Sequence, residues 1–286
     1  MRPRLTRRLS VGCTCLTAVL ALVVGGAPAE AGSAGTDREL RVLVFNIHAG
    51  VGTDGELDLK RVGRVIRSSR ADVVGLQEVD KHFSARSDWA DQGRKLARAL
   101  DMHLVYGANI DEEPPAPGRP RVQYGNAILS RYPIVSSGNT LLYRSEGEEQ
   151  RGLLRAVVDV PGADVEVFNT HLSATSAADR AQQATQIRQL IGTPGRPVVL
   201  VGDLNATPEA PEIATLNGFL RDSWTAAGEG RGYTYESEDP VKRIDYIYTS
   251  AGLQLIHSRV VDTHRVASDH LPVAVRLRVT SQRSGA

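Results

Sequence analysis

Cysteine is nearly missing from this 286-residue chain, whose only two cysteines, Cys13 and Cys15, lie close to the N-terminus. Both fall inside a segment with the pattern of a secretory signal, so the mature chain would contain no cysteine. The sequence therefore excludes disulfide bonds, a thiolate nucleophile and a cysteine-ligated zinc site from the mature protein.

A long apolar run is also missing from the N-terminal segment. Its apolar stretch, residues 16–24, is shorter than the about 20 residues that span a bilayer. Basic residues precede this stretch and small residues follow it, and we expect cleavage after Ala29 or Ala31. We predict that residues 1–31 are a signal peptide and that the protein is secreted. Export would use the general secretory route or, since Arg7 and Arg8 are adjacent, the twin-arginine route.

Neither charge sign dominates, and aromatic residues make up only 5% of the chain. The formal net charge is +1, and removal of four arginines and one glutamate with residues 1–31 leaves a net charge of −2. Strong nonspecific binding of nucleic acid is not expected from such a balance. Residues 111–121 form a proline-rich loop without aromatics, so stable membrane insertion is not expected either.

We find no internal repeat and no linker within the body of the chain, and therefore expect one domain over residues 39–280. Residues 32–38 are expected to be a flexible lead-in, and residues 281–286 a frayed tail. Short runs rich in Val and Ile predict strands at residues 41–45, 72–76, 127–129, 155–160, 165–168, 198–201, 244–248 and 273–277. Helical periodicity appears near Leu59–Ile66, Leu96–Leu100 and Ala181–Ile191. Strands mixed with a few helices predict an α/β layered sandwich.

Several of the predicted strands lead directly into polar residues. These residues are Asn46, Glu78, His171, Asp203 and Asn205, with Asp245, Asp269 and His270 at the beginnings of later strands. A single such residue is more often a turn former or a helix cap than a catalytic group. Asp203 and Asn205 are two positions apart, so their side chains can point the same way, and folding requires neither of them there.

The set has a coherent chemistry. Carboxylate and amide oxygens suit Mg²⁺ or Mn²⁺, and we expect Asn46, Glu78 and Asp269 to hold such an ion. Asp203 would orient or deprotonate an attacking water, while Asn205 and His171 would donate hydrogen bonds to phosphoryl oxygens. The pair His270 and Asp245 is typical of general acid–base catalysis. Together these groups predict metal-assisted hydrolysis of a phosphoester.

The ordered motifs resemble those of the endonuclease/exonuclease/phosphatase superfamily. They comprise Asn46, Leu76-Gln77-Glu78, Asn169-Thr170-His171-Leu172, Gly202-Asp203-Leu204-Asn205, Arg243-Ile244-Asp245-Tyr246 and Ser268-Asp269-His270, together with residues 124–131. Six motifs in the right order, over about residues 40–279, are far more specific than one. The resemblance implies a four-layer α/β/β/α sandwich of two mostly antiparallel sheets, and a divalent-metal phosphoesterase. The resemblance also implies that Asn46, Glu78 and Asp269 hold the metal ion. The catalytic residues would be His171, Asp203, Asn205, Asp245 and His270.

The substrate stays open at this point between a nucleic acid, a lipid head group and a small phosphoester. The alternatives are an extracellular deoxyribonuclease, a sphingomyelinase-like lipid phosphodiesterase and a non-catalytic binding protein on the same fold. A binding protein would be expected to have lost Glu78, Asp203 or His270, and all three are present. We expect a monomer with no obligate protein partner.

Overall fold

The computed structural model describes residues 38–279, which contain twelve strands in two six-stranded sheets. The first sheet has the order β11-β12-β1-β2-β4-β3. Its strands are β1 (Arg38–Asn46), β2 (Val73–Lys81), β3 (His103–Glu112), β4 (Val122–Ser130), β11 (Leu253–Val260) and β12 (Val273–Val279). The second sheet has the order β5-β6-β7-β8-β10-β9. Its strands are β5 (Ile134–Leu141), β6 (Gly152–Val160), β7 (Ala163–His171), β8 (Val198–Asp203), β9 (Arg221–Asp222) and β10 (Asp245–Thr249).

The two sheets pack face to face through the alternation of side chains along their strands. In β1, Val42 and Val44 enter the core between the sheets, where they join Val167 of β7 and Val201 of β8. Successive residues of a strand point to opposite faces, so Phe45 packs on the outer face of the first sheet instead. Both sheets are therefore buried on two sides, which explains the nearly continuous apolar strands of the sequence.

Helices cover the two outer faces and complete the four layers. α1 (Leu59–Ser69) and α2 (Gln92–Leu100) pack on the first sheet, and α3 (Ala177–Ile191) and α4 (Pro211–Asn217) pack on the second. A side-chain oxygen caps the start of the first three: Asp58 accepts from Arg61 N at 2.9 Å, Asp91 from Arg94 N at 2.9 Å and Ser176 from Asp179 N at 3.1 Å. The short helix α5 (Ser223–Ala227) lies against β10 and β11. Three single 3₁₀ turns complete the described elements: His48–Gly50, Ala85–Ser87 and Arg265–Ala267.

The predicted α/β/β/α sandwich is confirmed. Only β1–β2 and β7–β8 are parallel pairs among the described strands, and the remaining pairs are antiparallel. β1 begins at Arg38, within the segment expected to be the lead-in. The expected signal peptide and the expected frayed tail lie outside residues 38–279. Within that range no helix is long and apolar enough to cross a membrane.

Candidate active site

All eight candidate residues lie at one edge of the sandwich, because the strand directions bring their strand ends to the same edge. β1, β2, β7 and β8 end there, at Asn46, near Glu78, at His171 and at Asp203. Their antiparallel neighbours β10 and β12 begin there, so Asp245 pairs directly with Asp203 in the register. We call this the active-site edge: the carboxyl ends of β1, β2, β7 and β8 with the amino ends of β6, β10 and β12. The sequence placed each residue at a strand end, and the topology brings those ends together.

Asn46 joins the two sheets across this edge. Its Nδ2 donates to Glu78 Oε1 at 2.9 Å and to Asp203 Oδ2 at 3.0 Å. Its Oδ1 accepts from the backbone N–H of His48 at 3.1 Å, so the amide oxygen already has a partner. Asn46 thus holds two carboxylates in fixed positions, and its predicted role as a metal ligand stays a prediction.

Glu78 is aimed into the site by an irregularity in β2. The pairing of β2 with β4 shifts register between Leu76 and Val79, and Glu78 has a φ of 55° within this interruption. Bulges of this kind re-aim a side chain and often lie beside active sites. Glu78 is half-buried, and the structure gives its Oε1 a hydrogen bond while Oε2 makes none within residues 38–279.

Asp269 is the second half-exposed carboxylate of the site, with 33% of its side chain accessible. Ser268 ties it to the first sheet, since its Oγ lies 2.8 Å from Asn46 O and 3.2 Å from Asp269 Oδ1. His48 Nδ1 lies 3.9 Å from Asp269 Oδ1. Oxygen donors with accessible lone pairs, on carboxylates held by short polar contacts, are the ligand type that hard divalent cations require. Glu78 and Asp269 therefore fit a divalent metal ion.

Asp203, His270 and Asp245 form a buried chain of acid–base groups. His270 Nδ1 lies 2.9 Å from Asp245 Oδ2, and its Nε2 lies 3.5 Å from Asp203 Oδ2. Each residue is at most 5% exposed. Ligand atoms of the three lie within 4.8 Å of one another, a spacing that could also suit a metal. Because both ring nitrogens of His270 already face carboxylates, we interpret the trio as a proton-handling chain.

The burial of this chain changes its proton affinities. Burial raises the pKa of Asp203, although the neighbouring charge of His270 acts in the opposite direction. Burial also lowers the pKa of His270, but the charges of Asp245 and Asp203 outweigh it and raise that pKa to about 10. His270 is thus a cation that holds its proton, beside a carboxyl group with an increased tendency to take one.

His171 contacts a residue that the sequence analysis missed. Arg151, the residue before β6, places Nη1 3.0 Å from His171 Nδ1, and both side chains are about 5% exposed. Two donors face the ring, one at each nitrogen: Arg151 Nη1 at Nδ1 and Asn205 Nδ2 at Nε2, which is 2.9 Å away. A neutral imidazole accepts at one nitrogen only, and Asp203 Oδ2, 3.4 Å from Nε2, is an acceptor for a proton at Nε2. Arg151 and Asp203 together favour the form with the proton on Nε2, which faces the centre of the site.

The same surroundings keep His171 neutral. Burial is the largest cause that lowers the pKa of His171 well below its ordinary value, and the charge of Arg151 lowers it further. Asn205 Nδ2 donates to Leu172 O at 3.1 Å, and the backbone of Asn205 has a φ of 48°. The sequence offered one signal for Arg151: a charged residue directly before an otherwise apolar strand.

Two further polar residues support the site from between the sheets. Gln77 Nε2 donates to Asn169 Oδ1 at 2.5 Å. Asn169 Nδ2 donates in turn to Leu76 O at 2.8 Å and to Ala127 O at 2.9 Å. Both side chains are fully buried. This pair links β2 with β7 directly behind Glu78 and His171, which fixes the separation of the two sheets at the active-site edge.

Tyr235 covers the site from the long polar segment that precedes β10. Its ring centroid lies 4.9 Å from that of His270 at an interplanar angle of 47°. Lys242 of the same segment lies over the Tyr235 ring, with Nζ 5.9 Å from the centroid. The segment therefore limits the access of water to His270 and borders the space above Asp269.

Comparison with known proteins places this geometry in a family. The model of the endonuclease/exonuclease/phosphatase family matches residues 43–270. The chain belongs to this family. The chain is 29% identical to the protein YbhP of Escherichia coli K12 over 251 residues, which are 84% of this chain and 96% of YbhP. An endonuclease/exonuclease/phosphatase from Beutenbergia cavernae has a TM-score of 0.74 at 31% identity, over 85% of this chain and 72% of that one.

A mannosyl-6-phosphatase from Bacteroides thetaiotaomicron has the same fold, with a TM-score of 0.68 at 19% identity, over 83% of this chain and 99% of that one. Members of the family are phosphoester hydrolases and typically depend on a divalent metal ion. The oxygen donors and the buried acid–base chain of this site agree with that chemistry.

Proposed function

We propose that the protein is a Mg²⁺- or Mn²⁺-dependent hydrolase that cleaves a phosphoester by attack of water. The observation that carries the proposal is Asp203, a buried carboxyl of raised pKa within 3.5 Å of two histidine nitrogens. Asn46 connects it to Glu78, which has an oxygen suited to a metal. A base, proton donors and metal-binding carboxylates within one cluster are the components that phosphoester hydrolysis needs.

Each residue has a role in this proposal. Glu78 and Asp269 would hold the metal ion, which would neutralise phosphoryl charge when bound. Asp203 would accept the proton of the attacking water, because its raised pKa brings its basicity closer to neutral pH. His171 Nε2–H and the Asn205 amide would donate to the phosphoryl oxygens, as preorganised donors in a buried site.

His270 completes the assignment. Asp245 fixes its orientation through the contact at 2.9 Å, and the charge of the imidazolium faces Asp203. A cation at this point stabilises the developing negative charge of the phosphorus centre. Because His270 retains its proton near neutral pH and both of its ring nitrogens face carboxylates, it acts as a fixed positive charge, and Asp203 acts as the base.

A small phosphoester fits the surroundings better than a nucleic acid does. The segment between β5 and β6 lies at the active-site edge and contains Glu146, Glu148 and Glu149 against Arg144 and Arg151, a formal net charge of −1. Glu149 Oε1 lies 2.7 Å from Arg151 Nη1 and so takes up part of that charge. This segment offers no excess of positive charge to a polyanion, whereas a substrate with a single phosphate does not need one. We therefore place the deoxyribonuclease and the sphingomyelinase-like alternatives behind a small-substrate phosphoesterase.

We further propose that residues 1–31 direct export and that the mature enzyme acts outside the cytoplasm as a monomer. The basic, apolar and small-residue order of this segment supports the export proposal. N-terminal sequencing of the protein recovered from the culture medium tests it, with Gly32 or Glu30 expected as the first residue. Recovery of the full-length chain in the cytoplasm alone would contradict it.

The enzymatic test is hydrolysis of bis-p-nitrophenyl phosphate and of p-nitrophenyl phosphate by residues 32–286. Both are measured with Mg²⁺, with Mn²⁺ and with EDTA, beside Asp203→Asn prepared in parallel. Release that requires the metal and disappears in the variant supports the proposal, and the ratio of the two rates reports diester or monoester preference. Release of equal rate in EDTA, or in the variant, would contradict it.

A further inference from the structure

A cleft of about 740 Å³ lies outside the site just described. Its lining residues are His82, Asp88, Trp89, Pro115, Ala116, Arg119 and Pro120, and we call it the Trp89 cleft. The cleft is built by the segment that follows β2 and by the loop between β3 and β4. β2 and β3 both end at the active-site edge, and β4 begins there, so the cleft lies at the same edge of the sandwich as the catalytic residues. His82 is four residues beyond Glu78, about 13 Å along an extended strand.

The wall that carries Trp89 is held in an unusual backbone conformation. His82, Asp88 and Trp89 have φ values of 57°, 52° and 54°, a left-handed region that residues other than glycine rarely occupy. The conformation is fixed by contacts from His82 N to Ala90 O at 3.0 Å and from Trp89 N to Ser84 O at 3.0 Å. Backbone strain of this kind concentrates at ligand-binding positions. The cleft is therefore preformed.

The indole of Trp89 is exposed to solvent and does not pack in the core. Half of the residue is exposed, and within residues 38–279 its ring makes no stacking or cation–π contact. The chain contains only one other tryptophan, Trp224, whose Nε1 donates to Gly230 O at 3.2 Å. A large rigid ring in a concave, proline-lined surface supplies contact area at little cost in conformational entropy.

Three polar groups of the cleft have hydrogen-bonding capacity left over. His82 Nδ1 lies 2.8 Å from Trp89 O, and a carbonyl only accepts, so Nε2 of the ring is an acceptor. The side chains of Asp88 and Arg119 make no hydrogen bond or ion pair with any residue of the described range. Arg121 of the same loop differs, since it pairs with Asp111 at 2.6 Å and with Glu113 at 2.5 Å. The cleft thus offers two acceptors and one cationic donor around an aromatic face.

We infer that the Trp89 cleft binds a pyranose sugar ring that belongs to the substrate. This inference rests on the proposed phosphoesterase function and names its substrate class, a phosphoester that carries more than one sugar ring, because the cleft is farther from Glu78 than one hexose ring reaches from its own phosphate. A pyranose has an apolar C–H face for the indole and hydroxyl groups that both donate and accept, which matches His82, Asp88 and Arg119. A phosphate group only accepts, so Asp88 and His82 disfavour it here. A membrane surface would leave the Asp88 carboxylate desolvated and unpaired.

The binding test uses metal-free protein and uncharged sugars, so it does not depend on catalysis. The methyl glycosides of mannose, glucose and galactose are titrated by saturation-transfer NMR against wild type, Trp89→Ala and Arg119→Gln. We expect binding of at least one glycoside to wild type, and a loss of roughly tenfold or more in Trp89→Ala, as for other aromatic anchors. Trp224→Phe and Arg121→Gln are the matched controls and should bind as wild type does. In Trp224→Phe, where Trp89 is the only tryptophan, the sugar should also change the fluorescence emission.

The kinetic arm compares a disaccharide phosphate, whose second ring can reach the cleft, with glycerol phosphate in the presence of Mg²⁺. Trp89→Ala should raise KM for the sugar phosphate roughly tenfold while KM for glycerol phosphate stays unchanged. If the wild-type protein binds glycosides but hydrolyses no phosphoester, the phosphoesterase function is refuted and the sugar site still stands. Three outcomes would overturn the sugar site: no glycoside binding to wild type, equal binding by Trp89→Ala, or Trp89-dependent binding of adenosine or phosphatidylcholine vesicles in place of sugars.

Discussion

The two walls of the active site come from different sheets and differ in solvent access. The wall from the first sheet presents Glu78 and Asp269, both carboxylates that are partly exposed. His270, which also precedes a strand of this sheet, is 5% exposed and reaches across to Asp245 and Asp203 of the other wall. The wall from the second sheet presents His171, Asp203 and Asp245, none of them more than 4% exposed. One wall thus has carboxylate oxygens available to an incoming ion, while the other holds its acid–base groups away from water. Substitutions in the first wall should therefore weaken metal binding, and those in the second should slow the chemical step.

The largest effect is expected from Asp203→Asn, which keeps the shape of the side chain and removes its basicity. Turnover should fall about a hundredfold or more, because a general base and its charge are lost together. The amide oxygen can keep the contact with Asn46 seen at 3.0 Å, but the amide nitrogen then faces the Asn205 N–H that Asp203 Oδ1 accepts from at 3.0 Å, so a modest fall in Tm is expected beside the large fall in turnover. Steady-state kinetics at saturating Mg²⁺ and a thermal melt measure both quantities.

A second buried aspartate provides the control. Asp222 is 7% exposed and pairs with Arg243 Nη2 at 2.8 Å, but it has no contact with the acid–base chain. Asp222→Asn should lower the Tm and leave turnover nearly unchanged. If Asp203→Asn kept more than a tenth of the activity, Asp203 would not be the base.

The Glu78→Gln variant should lose activity because it binds the metal ion more weakly. Replacing this half-exposed carboxylate by an amide weakens an oxygen ligand, so the Mg²⁺ concentration for half-maximal activity should rise about tenfold or more. High Mg²⁺ should restore much of the turnover, unlike in Asp203→Asn. Activity as a function of Mg²⁺, with calorimetric metal binding, tests this difference. Glu166→Gln, on the opposite end of the second sheet and paired with Arg155, should behave as wild type.

The strands of the core could be predicted from the sequence because they are buried on both faces. All eight predicted strands are present, whereas β3, β5, β9 and β11 were missed. β5 has the sequence Ile-Val-Ser-Ser-Gly-Asn-Thr-Leu and is largely exposed at the sheet edge, so its pairing with β6 leaves no apolar pattern. α4 was missed as well, since seven residues contain too few turns for periodicity to show.

The site residues were accessible to sequence reasoning for a different reason. Polar residues such as Asp203 and Glu78 interrupt apolar strands, and the motif order supplied the rest. Arg151 could not be found in this way, because its function depends on the pairing of β6 with β7, which brings it beside His171. Contacts between neighbouring strands depend on register, and one sequence does not specify the register.

A smaller effect is expected on the pH dependence of stability through His171. Its folded pKa lies well below the value of about 6.5 for an unfolded chain, so the unfolded state takes up the proton first. The stabilisation is therefore complete above about pH 6.5 and is lost as the pH falls, by at most about 1.4 kcal/mol per pH unit. Urea unfolding of metal-free wild type and His171→Gln between pH 7.5 and 5 should show a flatter profile for the variant. Parallel profiles would mean that His171 is not held neutral by the fold.

The smallest effect, and the sharpest test of the second wall, concerns Arg151. Its contact at 3.0 Å with Nδ1, together with Asp203 Oδ2 at 3.4 Å from Nε2, predicts that the ring proton of His171 is on Nε2, and long-range ¹H–¹⁵N correlation spectra read this tautomer directly. Arg151→Met removes the donor, so a mixture of tautomers and a severalfold decrease in kcat are expected, with the His171 pKa moving upwards. Arg151→Lys should retain the Nε2–H form, and Arg155→Gln, on the strand β6 that follows Arg151, should change neither signal. An Nδ1–H tautomer in wild type would show that Arg151 does not orient His171, because a guanidinium cannot accept that proton.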